Sequence, residues 1–599
     1  MKKVKSILSL ILVLSMLFVL AACGGTTSDT TSGPTSGTSD GATTTTTVAP
    51  GAPVYGGDIV TYYAEFWNEY DPSAYTNRNF IAFYYDMLWN LDWETDRSEF
   101  NFEGNFLTSD YLTGQIANTW EVADDFKSMT VKLQDNVNFQ DKTSVGMDAK
   151  YNVYGARKLV AADVKWSYDR LLGLDGAEKI VLNETNWPSY LYMLESVEVV
   201  DDSTVKFNFN TDYELAIGDF MCARVNIAGP EWDTLDEAQK SDWHYATGTG
   251  PFIMTDYVAD NTMTFTANPA YWQKDTAGNK LPYLDTVTLA YFPDKTNALA
   301  QFIAGELDIV SLPFSIFDND QVTQLKAAMT ADQYTEYKYF NTPMGIGLKQ
   351  GNNPVKALTD VRVRMAMQYA IDLASIEKEF FRRDISDGVR ISGIWANGTS
   401  YNDIKSWPAE LTASYTTYDP EKAKALLAEA GYADGFTFDC TIFAMLPTPL
   451  FQIVGEQLKA VGITMNLVVG NTPPDMTSVG ADANNPASVF FNIWATSPAS
   501  ASYTIAKEGA SNFVHQDDAK TESLLNDLMN AKTLADQLTK AKELDQYYMS
   551  QHYLLYISGS EGYSNWFNNR VQGLHGEAIS PNYYMGYMLA RTWVSDAAK

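Results

Sequence analysis

Apolar and polar residues alternate in several short segments after residue 53. Residues 130–133 (TVKL), 197–200 (VEVV) and 204–209 (TVKFNF) place every second side chain on the same face. This two-residue period is typical of strands that bury one face and turn the other toward water. The sequence therefore predicts short, half-buried strands in the body of the protein.

Segments with helical periodicity lie among these strands. Asp419 followed by Pro420 predicts a helix start, because Asp accepts a hydrogen bond from a free N–H group and Pro has none to satisfy; Gly431 predicts the end. The apolar residues of this helix share one face: Ala423, Leu426, Leu427 and Ala430. A second helix is predicted after Asp360, with apolar residues at helical spacing as far as Ile376. Strands mixed with helices predict an α/β fold rather than a β-sandwich.

The N-terminus predicts export and a lipid anchor. Three early lysines precede an apolar run at residues 7–20, which is shorter than the ~20 residues that span a bilayer. Residues 20–24 (LAACG) resemble the bacterial lipobox, which implies removal of residues 1–22 as a signal peptide and lipid attachment to Cys23. Residues 23–53 are rich in Thr, Ser and Gly and contain no aromatic residue, so they predict a disordered tether.

Length and charge narrow the classes of function. The chain has 599 residues, and a single core stops growing near roughly 250–300 residues, so two or three domains are expected. A formal charge of −32 argues against a nucleic-acid partner, because such partners require clustered Lys and Arg. The four histidines include no closely spaced pair of the kind that binds a metal, and neither a metal nor another cofactor is expected.

The sequence offers few signs of catalysis. It contains no HExxH pair and no phosphate-binding P-loop, and residues 559–562 (GSEG) have the wrong spacing for a nucleophile elbow. No catalytic residue is therefore predicted. An anchored glycoside hydrolase stays a rival hypothesis, because its carboxylate pair is defined by separation in space. Cys222 and Cys440 belong to no CxxC pair; they could be joined in an oxidising compartment, but two buried thiols without a disulfide are expected.

Several short motifs stand in a fixed order along the body. Residues 247–252 (TGTGPF) and 268–272 (NPAYW) resemble the GTGPY and NPxYW segments of the extracellular solute-binding proteins of peptide-type ABC importers, known as family 5, and the other motifs follow in family order. Residues 418–432 (YDPEKAKALLAEAGY) resemble another family segment along almost their whole length. Further matching segments are 117–120 (ANTW), 163–170 (DVKWSYDR), 304–309 (AGELDI), 360–366 (DVRVRMA) and 370–372 (AID). The resemblance spans nearly the whole body.

The resemblance implies an α/β, periplasmic-binding-protein-like, two-lobed (Venus-flytrap) fold with an extra inserted domain. The expected boundaries are 54–82, 198–328 and 558–599 for lobe I, 83–197 for the inserted domain and 329–557 for lobe II. It also implies a monomer, anchored at the outer face of the bacterial cytoplasmic membrane, or periplasmic in a Gram-negative cell. Such a protein captures an oligopeptide-like solute unchanged and hands it to the permease and ATPase subunits of an importer.

The candidate ligand-binding residues come from the same resemblance. Many peptide-binding relatives carry a Trp-x-Ala-Asp-Tyr segment, in which the Asp is expected to pair with the ligand's α-amino group. Residues 493–498 (IWATSP) keep Trp494 but place Ser497 at the Asp position. A buried ammonium without that carboxylate loses a charge-assisted bond of about 1.5–3 kcal/mol. Either another acid, Glu65 or Glu69, takes over the amine, or the ligand is uncharged, such as an oligosaccharide stacked on aromatic rings.

Four further positions complete the candidate set. Trp395 lies in a loop that contains glycine, and Glu65, Phe66 and Trp67 follow the first predicted strand. Family membership favours a peptide ligand, whereas the 13% aromatic content favours a sugar. A surface receptor that serves a signalling partner without transport is a third alternative, and the sequence does not separate it from an importer component.

Overall fold

The computed structural model describes residues 52–595 with internal gaps. The gaps are 64–69, 74–77, 98–110, 178–190, 192, 213, 311–316, 318, 340–342, 352, 383–384, 386–388, 390, 396–401, 403, 445, 472, 492, 494, 496–497, 510, 560–562 and 575–584. The predicted signal peptide and tether, with Cys23, lie outside the described residues, and Gly51–Lys599 forms one unit. Among the helices of the described part, none is both long enough and apolar enough to cross a membrane.

The strands of the described residues are short and distributed along the whole body. In chain order they are β1 (Asp58–Tyr63), β2 (Trp89–Leu91), β3 (Leu112–Gly114), β4 (Ala117–Val122), β5 (Ser128–Leu133), β6 (Leu194–Asp201), β7 (Thr204–Phe209), β8 (Phe252–Val258), β9 (Thr262–Ala267), β10 (Thr286–Tyr291), β11 (Ile309–Val310), β12 (Tyr334–Tyr339), β13 (Gly345–Gly347), β14 (Phe436–Phe443), β15 (Ile463–Gly470), β16 (Ser488–Phe490), β17 (Leu554–Tyr556), β18 (Tyr563–Asn568), β19 (Val571–Gln572) and β20 (Trp593–Val594).

The helices alternate with these strands. They are α1 (Arg78–Tyr84), α2 (Ala161–Leu172), α3 (Glu214–Cys222), α4 (Glu237–Lys240), α5 (Lys295–Ala304), α6 (Asn319–Ala328), α7 (Val361–Tyr369), α8 (Leu373–Ser375), α9 (Ala409–Thr416), α10 (Pro420–Glu429), α11 (Thr448–Lys459), α12 (Pro473–Ala481), α13 (Pro498–Ile505), α14 (Ala519–Met529), α15 (Leu534–Ser550) and α16 (Met585–Leu589). A π-helical turn, Ile376–Phe380, follows α8.

Two sheets share the largest core. The seven-stranded sheet has the order β12-β18-β11-β1-β10-β9-β8, and the four-stranded sheet, which is antiparallel throughout, has the order β4-β5-β7-β6. Ile59 and Val287 of the first sheet belong to the same buried cluster as Val131 and Phe207 of the second. The four-stranded sheet and the seven-stranded sheet therefore belong to the same part of the body, because burial of a common set of apolar side chains stabilises both.

A third sheet has a core of its own. Its order is β15-β14-β16-β13-β17, and β14 runs parallel to both of its neighbours. The apolar residues packed around it lie between Met344 and Ile557, and include Phe438, Val454 and Leu544. This five-stranded sheet is therefore a separately stabilised part of the body.

The elements predicted from periodicity are present. The three predicted strands lie in β5, β6 and β7. Helix α10 is capped by Asp419, whose carboxylate accepts the N–H of Lys422 at 2.9 Å, and its residues Ala423 and Leu427 are buried. Helix α7 follows Asp360 as predicted but ends at Tyr369, so Ile376 does not belong to it.

The early end of α7 has a local cause. Asp372 accepts the N–H of Ser375 at 2.9 Å and thereby caps a new helix, α8. Ile376 then begins the π-helical turn. Asp competes well for free N–H groups at a helix start, which is why the chain restarts there.

Strand pairing differs from the predicted domain division at two places: one boundary falls inside a strand, and one strand pairs outside its assigned lobe. The boundary between 197 and 198 falls within β6, which pairs with β7, so the four-stranded sheet extends to Phe209. Strand β12 pairs with β18, so Tyr334–Tyr339 belongs to the seven-stranded sheet although the prediction assigned 329–557 to lobe II. Both differences arise because ladder hydrogen bonds join strands whose pairing the amino-acid composition of the segments does not reveal.

Cys222 and Cys440 are buried and form no disulfide with each other, as predicted. They belong to different cores: Cys222 to the shared core of the first two sheets, and Cys440 to that of the five-stranded sheet. Burial raises the pKa of the Cys440 thiol to about 12, so this thiol is neutral at physiological pH.

The segments TGTGPF and NPAYW meet at one buried carboxylate, Asp86, which is 1% exposed. One carboxylate oxygen accepts from Gln115 Nε2 at 2.6 Å and from the Tyr271 hydroxyl at 3.1 Å. The other accepts from Thr249 Oγ1 and from Trp272 Nε1, each at 3.0 Å. Burial raises the pKa of Asp86 to about 7, although these hydrogen bonds oppose the shift.

Asp86 makes stability depend on pH in a defined window. Its folded-state pKa lies above the usual value of 3.8, so folding favours the protonated carboxyl. The stability that it contributes is present below about pH 4 and is lost as the pH rises to about 7, by at most ~1.4 kcal/mol per pH unit. We expect Asp86→Asn to flatten the fall in the free energy of unfolding between pH 5 and pH 8, measured by urea denaturation followed by circular dichroism.

The matched control is Asp124→Asn, because Asp124 is exposed. This variant is expected to keep the wild-type slope of stability against pH. An Asp86→Asn protein with the wild-type slope contradicts the assignment. Asp545, whose pKa is also raised to about 7 by burial, contributes with the same sign, so Asp86→Asn removes only part of the slope.

Candidate functional site

The candidate site begins at the edge where the parallel strands of the seven-stranded sheet end. Strand β1 runs parallel to β10 and β11, so Tyr63, Tyr291 and Val310 end at one edge. Strand β12 runs the same way, because β18 is antiparallel to both β11 and β12. We call this the first carboxyl edge. Open α/β sheets bind ligands outside the carboxyl ends of their strands.

The five-stranded sheet has a corresponding edge. Strands β14, β15 and β16 are parallel and end together at Phe443, Gly470 and Phe490. Strand β13 is antiparallel to β16 and to β17, so its first residue, Gly345, and the last residue of β17, Tyr556, lie there as well. We call this the second carboxyl edge.

The chain passes between the two sheets twice, and both passages leave from these edges. Residues 340–344 join β12 to β13, and residues 557–562 join β17 to β18. The N–H of Ile557 donates to the carbonyl oxygen of Met344 at 2.9 Å, and the N–H of Met344 donates to Ser558 Oγ at 2.9 Å. The paired passages therefore connect the first carboxyl edge directly to the second.

A buried carboxylate holds the second passage. Glu377, which is 0% exposed, lies in the π-helical turn and accepts the N–H of Gly559 at 2.7 Å. The side-chain amide of Gln368 forms two hydrogen bonds with the main chain of Tyr556. It donates to the carbonyl oxygen at 3.1 Å and accepts the N–H at 2.8 Å. Turns of the π type occur frequently at functional sites. The elements after β13 thus fix the main chain where it leaves the five-stranded sheet.

A buried ion pair anchors the chain just beyond the predicted residues 65–67. Arg170, the last residue of the DVKWSYDR segment, donates to both carboxylate oxygens of Asp71, at 2.8 and 2.7 Å. Trp232 Nε1 donates to the same carboxylate at 3.1 Å. Asn226 Nδ2 donates to the carbonyl oxygen of Pro72 at 2.9 Å. The residues that follow the candidates are thus held on α2 by a bidentate pair, which fixes orientation as well as position.

The side chain of Trp395 is buried, at 1% exposure, and contacts helix α15. Its Nε1 donates to the carbonyl oxygen of Ala541 at 2.9 Å. Its main chain forms a parallel bridge with Ala495, whose N–H donates to the carbonyl oxygen of Ile394 at 3.1 Å. The indole nitrogen is therefore used within the protein, and contact between Trp395 and a ligand stays a prediction.

The other predicted site residues lie outside the described residues: Trp494, Ser497, Glu65, Phe66 and Trp67. Their neighbours in the sequence are described. Trp494 and Ser497 follow β16, which ends at the second carboxyl edge, and Ile493 and Ala495 adjoin Trp494. Glu65, Phe66 and Trp67 follow β1, which ends at the first carboxyl edge. Both groups therefore come after strands that end at a carboxyl edge.

Two ion pairs join the part of the chain that carries the five-stranded sheet to the rest. Lys532 Nζ donates to both carboxylate oxygens of Asp212 at 2.9 Å, and Arg382 pairs with Asp320. All four side chains are well exposed, so solvent screens each pair and its contribution to stability is small. These contacts hold the two parts together weakly.

The described residues contain no cluster of three or more His, Cys, Asp or Glu side chains placed to hold a metal ion. Sequence analysis missed Glu377, because its partner Gly559 lies 182 residues away. It also missed the Asp71–Arg170 pair, for which a signal existed: Arg170 ends a recognised segment and Asp71 closely follows the candidate residues.

Comparison with known proteins identifies the family. Residues 112–512 match the bacterial extracellular solute-binding proteins, family 5, middle region. The chain is 28% identical over 378 residues to heme-binding protein A of Haemophilus influenzae, covering 59% of this chain and 61% of that protein. It is 27% identical over 345 residues to the dipeptide-binding protein of Escherichia coli K12, covering 55% and 57%. The matches thus span about three fifths of the length of these curated relatives.

The fold is shared with solved structures. The periplasmic binding protein DppA from Helicobacter pylori, solved with the peptide STSA, superposes with a TM-score of 0.70 at 18% identity, covering 91% of this chain and 99% of that one. The expected periplasmic-binding-protein fold is confirmed by this likeness. Because the family match covers well over half of its residues, this chain belongs to the bacterial extracellular solute-binding proteins of family 5.

Proposed function

We propose that this protein captures an oligopeptide-like solute between its two carboxyl edges and delivers it to the permease of an ABC importer, which ATPase subunits drive. The observation that carries the proposal is that both chain connections between the two sheets leave from these edges, and that Met344 is hydrogen-bonded to Ile557 and Ser558 beside the five-stranded sheet. A solute bound there contacts two separately stabilised parts of one chain. A monomer is sufficient, because both edges belong to the same copy.

Capture requires no bond to be made or broken. Rotation about the paired passages closes one edge on the other, which is the hinge motion of two-domain binding proteins. A solute that touches both edges favours the closed arrangement only by its differential affinity for it. The exposed pairs of Lys532 with Asp212 and Arg382 with Asp320 contribute little, so contacts with the solute decide the equilibrium. The solute leaves intact.

The predicted residues divide into two roles. Phe66, Trp67 and Trp494 offer rings for stacking against side chains of the solute. Glu65 offers a carboxylate for its α-amino group, a role that Ser497, which has no charge, does not fill. Trp395 contributes by supporting the segment next to Trp494.

An oligosaccharide is the second candidate ligand. Ser497 stands where many peptide-binding relatives carry Asp, and a neutral hydroxyl suits a sugar hydroxyl as well as it suits a peptide. Aromatic residues make up 13% of the chain, which favours stacking on sugar rings. The ligand experiment therefore includes both classes.

We expect the mature protein to bind free tetrapeptides such as Ser-Thr-Ser-Ala in isothermal titration calorimetry, and mass spectrometry to recover them intact. Glu65→Gln or Glu69→Gln, whichever carboxylate pairs with the amine, is expected to weaken binding by about 10-fold to 150-fold, the equivalent of 1.5–3 kcal/mol. The other variant serves as its matched control. Binding of the N-acetylated peptide is expected to be equally weak in wild type and variant.

Cello- and xylo-oligosaccharides form the second arm of this titration. Tight binding of an oligosaccharide with no binding of peptide contradicts the peptide proposal and supports the sugar alternative. Steady release of cleaved product contradicts both and supports the hydrolase. Equal affinity for free and acetylated peptide contradicts the role of a carboxylate at the amine.

We further propose that Cys23 carries the lipid anchor that keeps the protein beside its permease. Two acyl chains bind a membrane stably where one does not, because each buried methylene contributes about 0.8 kcal/mol. We expect Cys23→Ser to move the protein from the membrane fraction to the soluble fraction in cell fractionation, with loss of the acyl mass in mass spectrometry. Ser28→Ala, five residues along the tether, is the matched control and is expected to remain in the membrane fraction. Retention of Cys23→Ser in the membrane contradicts the anchor.

A further inference from the structure

Helix α15 places a carboxylate in an apolar core, where packing alone does not require a charged group. Asp545 is 0% exposed and lies among the apolar residues of the five-stranded sheet, between Leu544 and Tyr548 on the same helix. Burying a carboxyl group is costly unless hydrogen bonds compensate it. Its contacts therefore indicate what this side chain does.

Both carboxylate oxygens of Asp545 accept hydrogen bonds from the loop that carries Trp395. One oxygen accepts the N–H of Ile394 at 2.8 Å, and the other accepts Asn402 Nδ2 at 3.0 Å. The amide of Asn402 is itself oriented, because Ser406 Oγ donates to its oxygen at 2.5 Å. One side chain thus fixes the chain at two points, Ile394 and Asn402.

The same face of α15 holds the loop at a third point. Ala541 lies one turn before Asp545, so both face the same way, and its carbonyl oxygen accepts Trp395 Nε1 at 2.9 Å. Gly393 has no room for a side chain here, since a Cβ would lie 1.8 Å from a carboxylate oxygen of Asp545. The carboxylate and the main chain of residues 393–395 are therefore in direct contact.

This loop in turn holds the segment that carries Trp494. The carbonyl oxygen of Ile394 accepts the N–H of Ala495 at 3.1 Å, and Trp395 forms a parallel bridge with Ala495. A continuous series of hydrogen bonds thus runs from Asp545 through residues 394–395 to the residue next to Trp494. Side chains that bind ligand need such support, because small displacements lose affinity.

The geometry points to Asp545 as a positioning residue for ligand binding: it holds Ile394 and Asn402, and through residues 394–395 it holds Ala495, the neighbour of the candidate Trp494 in the sequence. The inference rests on the proposed function, because it states which side chain keeps the proposed solute-binding site ordered. Asp545 itself does not touch the ligand.

The test combines hydrogen–deuterium exchange with affinity for the tetrapeptide Ser-Thr-Ser-Ala, both measured on the mature protein. Asp545→Ala is expected to increase amide exchange at residues 391–402 and 491–498 by at least about tenfold and to weaken peptide binding at least as much. Exchange in β15, at the far edge of the same sheet, is expected to stay unchanged. Glu543→Ala removes an exposed carboxylate from the same helix and is the matched control, expected to change neither measurement.

A double variant separates positioning from packing. Asp545→Asn with Asn402→Asp exchanges the two groups, so that residue 545 still accepts the N–H of Ile394 and donates to residue 402, with the net charge unchanged. This pair is expected to restore exchange and affinity to within about threefold of wild type. Gly393→Ala, which pushes the loop off the carboxylate, is expected to reproduce the Asp545→Ala result and serves where Asp545→Ala does not fold.

Two results overturn the inference: wild-type exchange at 491–498 in Asp545→Ala or in Gly393→Ala, or a double variant that exchanges as fast as Asp545→Ala. The exchange measurement needs no ligand. A wild-type protein that binds no peptide, with exchange that still rises in Asp545→Ala, contradicts the proposed function alone and supports the positioning role.

Discussion

The pair of hydrogen-bonded passages between the seven-stranded and five-stranded sheets is the constraint on which the rest of the structure depends. Strands β13 and β17 are neighbours in one sheet, and β12 and β18 are neighbours in the other, so both passages must run side by side. Each sheet also has its own core, so the two parts of the body are stabilised separately on either side of the passages.

Buried carboxylates stabilise the irregular segments of this body. Asp86, Glu377 and Asp545 each accept hydrogen bonds from residues that are distant in the sequence. An unpaired buried donor is costly, and a carboxylate with two oxygens satisfies several donors at once. Glu377 and Asp545 accept main-chain N–H groups, whereas the donors to Asp86 are side chains. The same burial raises the pKa of Asp86 and Asp545 to about 7, which couples the order of these segments to protonation near neutral pH.

The motifs that reveal the family and the residues that select the ligand have different physical origins. TGTGPF and NPAYW converge on Asp86, inside the part that carries the seven-stranded sheet, and the residues they contribute there are Thr249, Tyr271 and Trp272. These contacts build the fold and do not depend on what is bound. The candidate ligand-binding residues follow β1 and β16 in the sequence, and their role belongs to the proposed function.

The family, the α/β class, the strands β5 to β7 and the helix capped by Asp419 could be predicted from the sequence. Each of these depends on motifs, on local periodicity or on a cap a few residues away, so nearby residues contain the signal. The end of α7 at Tyr369 also has a local cause, the cap at Asp372, which the apolar periodicity did not reveal. The pairing of β12 with β18 and the contacts of Glu377 and Asp545 with distant loops became evident only in the tertiary structure. Pairings across long stretches of sequence follow from the packing of whole sheets, and no local pattern records which carboxylate meets which N–H group.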